Sequence, residues 1–158
     1  MELTALFEEL GTSMGIDRLT FDADGQCSLL FDGEHEVTFL HNQEDHALIM
    51  YCELGKLSAQ ADDICRELMQ ASLLGAETGG AALSVDSRLD VIVLWKRHDE
   101  SFDSLPFLEQ ALNAFLTQAI QWKARLGPKN ASRSEEKPID SNLLNNFDMF
   151  VRNSRSAR

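Results

Sequence analysis

The chain has 158 residues, 44% of them hydrophobic, and a formal net charge of −12. That length and apolar share fit one domain with a true core, plus a tail. So acidic a surface repels nucleic acid and anionic membranes, and no run reaches the roughly 18 apolar residues of a membrane span.

Leu3, Leu6, Phe7, Leu10 and Met14 fall at helical spacing and predict a first amphipathic helix. Gly11 weakens its end and Gly15 stops it. Asp22-Ala23-Asp24-Gly25 reads as a turn. Cys27 to Phe31 is then a strand, Asp32-Gly33 a hairpin turn, and Glu36 to His41 a second strand. After a turn at Asn42 to Asp45, Ala47 to Leu54 is the third strand. Leu29, Phe31, Val37 and Phe39 alternate with Leu30, Leu40, Ile49 and Tyr51, so both faces of this meander carry apolar groups. One face packs on helices; the other is covered or is a contact surface.

Ser58 is positioned to cap a second helix running to about Ala76, with Ala61, Ile64, Cys65, Leu68, Ala71 and Leu74 as its apolar residues. Gly79-Gly80 ends that segment. Ala82 to Val85 and Leu89 to Lys96 are two further strands, joined at Asp86-Ser87-Arg88. Ser104 opens a third helix whose first turn tolerates Pro106. Its stripe is Leu105, Leu108, Leu112, Phe115, Leu116, Ala119 and Ile120, and Gly127-Pro128 terminates it. The order is α-β-β-β-α-β-β-α, an α+β fold with a twisted antiparallel sheet packed against helices.

Residues 1–127 carry 8 Lys/Arg and 22 Asp/Glu, a net of −14, whereas residues 128–158 carry 6 and 4, a net of +2. The shift divides a domain, 1–127, from a flexible basic tail, 128–158. Leu143, Leu144, Phe147 and Phe150 give the tail one short amphipathic pattern, which would dock on the domain, bind a partner or stay disordered.

Little of the chain looks catalytic. It has no phosphate-binding loop, no dinucleotide fingerprint and no nucleophile elbow. Without a phosphate-binding loop, an ATP-driven machine is disfavoured. Gly75-x-x-x-Gly79-Gly80 lacks a Lys and reads as helix termination. His35 and His41 share a strand face and His46 follows, but no Cys or carboxylate spacing accompanies them to make a metal site. His98, Asp99 and Glu100 read as a solvated loop. Glu8-Glu9 and Asp62-Asp63 are adjacent on helices and diverge, so they are poor acid/base couples. Cys27, Cys52 and Cys65 read as reduced filler of the core or an interface. Trp95 reads as core or as an interface anchor, and Trp122, off the third helix's stripe, as partly exposed. No catalytic residue, metal or cofactor is expected.

From Ile64 to Asp99 the chain resembles the class I type III secretion chaperones, in particular the Tir chaperone (CesT-like) group. The resemblance is carried by Glu67-Leu68-Met69-Gln70-Ala71-Ser72-Leu73, Ala76-Glu77-Thr78-Gly79-Gly80 and the strands up to Trp95. Gly15-Ile16 and Cys27-Ser28-Leu29 add to it, and the order of elements extends it over residues 1 to about 126.

The resemblance implies a cytoplasmic bacterial homodimer that binds the N-terminal, non-globular region of secreted effectors without ATP. Such a protein keeps effectors soluble and export-competent and delivers them to the secretion apparatus, with the secretion-system ATPase as a further partner. A regulatory adaptor of the secretion system is the alternative. By element, the resemblance implies dimer contacts at Ile64, Leu68, Ala71, Leu74 and Leu83. It implies cargo contacts at Leu6, Phe7, Leu10, Leu29, Phe31, Phe39 and Ile49.

Overall fold

The computed structural model describes residues 2–57, 61–99 and 102–130. Helix α1 is Leu3–Ser13, followed by strands β1 Gln26–Phe31, β2 His35–Asn42 and β3 Ala47–Lys56. Helix α2 is Ala61–Ser72 and continues as a 3-10 turn, Leu73–Gly75. Strands β4 Ala82–Asp86 and β5 Val91–Asp99 then lead to helix α3, Leu105–Asn130. The expected α+β order is present. The Ser58 cap and the 143–150 pattern lie outside the described residues.

The strands form one antiparallel sheet in the order β1-β2-β3-β5-β4. Alternation divides its side chains. Cys27, Leu29, Val37, Phe39, Leu48, Met50, Cys52, Leu54, Leu83, Ile92 and Leu94 face the helices and join the core. Their neighbours along each strand point to the opposite face. The double apolar alternation in the meander therefore reports two real faces.

Helix α1 closes with two bonds that define a Schellman end. Ile16 N–H donates to Gly11 C=O at 2.8 Å and Gly15 N–H to Thr12 C=O at 3.2 Å, with Gly15 at φ +73°. Gly11 itself is needed for packing, because a Cβ there would meet Leu19 Cβ at 2.7 Å.

Several boundaries differ from the sequence reading. Strand β5 runs on to Asp99, so His98 and Asp99 belong to the strand and not to a solvated loop. Helix α2 stops at Ser72 instead of Ala76, because Leu74 takes a left-handed φ of 56° and breaks the α ladder. Leu89 belongs to a turn and not to the fifth strand; Asp90 has φ 52°, and the strand starts at Val91. Helix α3 runs through Gly127-Pro128 to Asn130. The wholly buried Leu126 anchors that last stretch.

Candidate binding surfaces

The loop from Gly75 to Gly80 organises one side of the domain. A Cβ on Gly75 would meet Gly80 Cα at 2.5 Å, so the loop closes tightly on itself. Gly80 N–H donates to Gly75 C=O at 3.1 Å. The fully buried Thr78 donates its hydroxyl to Ala81 C=O. Trp122 of α3 reaches the loop and donates its Nε1 hydrogen to Glu77 C=O at 3.1 Å. Arg125 stacks 4.4 Å over the Trp122 ring and bonds Glu67 at 2.8 Å and Glu77 at 3.0 Å. Trp122 is therefore buried, not partly exposed: the long helix turns it towards the glycine loop, which periodicity within α3 could not show.

The residues expected at a cargo surface are placed as follows. Leu6, Phe7, Leu10, Leu29 and Phe39 are buried together in the core, with Phe31 packed against it. Phe7 and Phe39 meet edge to face at 5.0 Å, and Phe7 and Phe21 at 4.5 Å. Ile49 is also buried but lies on the other sheet face. In the protomer Leu6, Phe7, Leu10, Leu29 and Phe39 offer almost no side-chain surface, and Phe31 only part of its own. The physical reason is that α1 packs against α3 and reaches β2 through Phe7, so its single apolar stripe is consumed by the core.

The expected dimer residues divide in a similar way. Ile64, Leu68, Ala71 and Leu83 belong to the core. Leu74 is 95% exposed. Beside it lie two exposed residues that the sequence reading did not single out, Met69 at 75% and Leu73 at 59%. A shallow groove of about 590 Å³ runs between Asp62, Cys65, Arg66, Met69, Gln70 and Leu73. The signal for this second face was present: Met69 and Leu73 are four residues apart, one turn of helix, off the stripe of Ile64, Leu68 and Ala71.

The two sheet edges are unlike. On β4, Leu83 N–H donates to Ser72 Oγ at 2.8 Å, so the end of α2 satisfies part of that edge. On β1, Gln26 C=O accepts from Asp22 N–H at 2.8 Å. Beyond Gln26, no strand among the described residues pairs with the outer side of Ser28 to Phe31, and Leu30 is 63% exposed there.

The ionisable groups show the effects of burial. Cys52 is pushed up to about 11 by burial, and Cys27 is raised by burial and by Asp22, which keeps both as thiols. His98 is lowered by burial and then by Lys96. Among the described residues, no three His, Cys, Asp or Glu side chains converge as a metal site. No helix among them is long and apolar enough to cross a membrane.

A protein of Chlamydia pneumoniae is 30% identical over 129 residues, spanning 79% of this chain and 96% of its own length. A chain in the crystal structure of the ExsC–ExsE complex superposes with TM-score 0.69 at 23% identity, covering 78% of this chain and 96% of that one. A chain of the HopA1–SchA chaperone–effector complex gives 0.65 at 18%, covering 76% and 91%. A chain of the Yersinia pestis type III secretion chaperone SycH with a YscM2 fragment gives 0.58 at 19%, covering 75% and 98%. The model of the Tir chaperone protein (CesT) family matches residues 5–123, and the chain belongs to that family.

Proposed function

We propose that this protein is a homodimeric effector chaperone of a type III secretion system, holding the non-globular N-terminal region of a secreted protein and presenting it for export. The observation that carries the reading is the apolar surface left outside a complete core. Met69, Leu73 and Leu74 stand exposed although the same helix already seals the core with Ile64, Leu68 and Ala71. A contiguous patch of this kind is a contact surface. It supports pairing of two protomers through the outer face of α2 and the 3-10 turn.

The free outer edge of β1 supports the cargo role. An unfolded segment adds its backbone hydrogen bonds to such an edge, and side chains such as Leu30 supply apolar contact. The buried Leu29, Phe39, Leu6, Phe7 and Leu10, with the partly buried Phe31, then hold that edge rigid from behind. Burying about 1,000 Å² of apolar surface contributes on the order of 25 kcal/mol gross. Ordering the cargo and losing rigid-body freedom offset much of it. Such binding is tight, reversible and independent of nucleotide.

The test is co-expression with N-terminal segments of secreted proteins from the same cell, followed by size-exclusion with mass measurement. A complex of two copies of this chain with one cargo segment is expected. A monomer that retains no secreted substrate would refute the reading.

A further inference from the structure

Strand β1 exposes less of its edge than its length suggests. His41 N–H donates to Gly25 C=O at 2.7 Å, which makes Gly25 and His41 a hydrogen-bonded pair. Antiparallel alternation carries that pairing to Cys27 and Phe39, Leu29 and Val37, and Phe31 and His35. The main-chain groups of Gln26, Ser28 and Leu30 therefore point away from β2. Asp22 occupies the first of these positions. Gln26 N–H donates to Asp22 Oδ1 at 2.9 Å, and Gln26 C=O accepts from Asp22 N–H at 2.8 Å. Ser28 and Leu30 remain, and among the described residues no strand or turn meets their outward N–H and C=O groups.

Charge brackets this opening. Residues 19–55, which hold β1, β2 and nearly all of β3, contain eight Asp or Glu and no Lys or Arg. Asp24 lies in the turn that enters β1, and Asp32 and Glu34 in the turn that leaves it; all three are exposed. Among the described residues none of the three forms an ion pair. Lys123 Nζ reaches Glu34, but at its main-chain oxygen, 2.8 Å away. At about 3.3 Å per residue the two acidic turns stand roughly 20 Å apart, about six positions of an extended chain. Between them Leu30 is 63% exposed, and Ser28 is exposed beside it.

We infer that this edge selects a short strand with basic ends: about seven extended residues, a Lys or Arg near each end, and an apolar side chain set against Leu30. Its main chain bonds to Ser28 and Leu30, and its cations lie by Asp24 at one end and by Asp32 and Glu34 at the other. So short a ladder specifies register weakly, and the charged ends fix where the segment stops. An uncharged strand meets the same edge without the end contacts, and an acidic one is repelled. The inference rests on the chaperone reading and gives the cargo segment its chemistry.

The probes are three labelled peptides that share a central Val-Thr-Val-Thr-Val stretch, flanked on both sides by pairs of lysine, serine or glutamate. Fluorescence anisotropy with the full chain should rank lysine over serine by about tenfold at low salt, with glutamate weakest, and the advantage should collapse at high salt. Asp24→Asn, Asp32→Asn and Glu34→Gln together should abolish the lysine advantage and leave the serine-flanked peptide unchanged. Hydrogen exchange on the unaltered protein supplies a second measurement. The lysine-flanked peptide should protect the amides of Ser28 and Leu30. Equal binding of the lysine and serine peptides, or an advantage that the triple variant retains, would overturn the charge selection. Binding without protection at Ser28 and Leu30, or no binding at all, would overturn the edge as the site. The co-expression test does not depend on these peptides, so a complex recovered there keeps the chaperone reading when the strand inference fails.

Discussion

Helices α1 and α2 are both amphipathic, yet they dispose of their apolar side chains differently. Helix α1 places Leu3, Leu6, Phe7 and Leu10 in the core. Helix α2 and its 3-10 extension bury Ile64, Leu68 and Ala71 but leave Met69, Leu73 and Leu74 outside. A helix with one stripe completes a domain. A helix with two faces has apolar surface left over, and the proposed dimer uses it.

The comparison is broken most severely at Phe39 or Phe7. An aspartate in either fully buried site strands a charge without a partner, and a loss of more than about 4 kcal/mol is expected. Denaturant unfolding or the loss of near-ultraviolet dichroism reads this. A folded variant that lost only cargo binding would instead return these rings to the binding surface.

Leu68→Glu should follow closely, since Leu68 is 2% exposed and packs inside the protomer. It should cost about 3 kcal/mol or more in thermal or chemical unfolding. A stable monomer would show that Leu68 contributes to the dimer alone.

Trp122→Phe removes the hydrogen bond to Glu77 and alters the Arg125 stack, at a cost of about 1–2 kcal/mol. The unfolding midpoint measures it.

Leu74→Asp sharpens the contrast from the other side. A side chain 95% exposed contributes little to the protomer, so a change within about 0.5 kcal/mol is expected. Light scattering should nevertheless show the dimer weakened. A dimer of unchanged strength would move the interface away from the 3-10 turn.

The smallest effect is at Glu53. Its folded-state carboxyl is raised by burial and by neighbouring acids, so the folded protein holds that proton more tightly than the unfolded chain. Stability from this group is therefore lost as pH rises through the raised value. Glu53→Gln should raise the melting temperature slightly at neutral pH, and the gain should vanish in acid. An equal gain at both pH values would mean that packing, not charge, is the cause.

Element order, the hairpins and the double-sided meander were legible in the chain because strand and helix periods are local properties. So was the family, through the run from Glu67 to Gly80. Periodicity also identified Leu6, Phe7, Leu10 and Phe39 as apolar and in register, but not whether they face a core or a partner. Both environments select the same side chains.

Only tertiary packing decided that question. It turned Trp122 inward onto the carbonyl of Glu77, a contact spanning 45 residues of sequence. It let Ser72 close the edge of β4 while β1 stayed open beyond Gln26. It also flipped Leu74 into a left-handed conformation that thrusts it into solvent. Short-range spacing specifies which residues share a face; which face meets solvent depends on where distant segments come to rest.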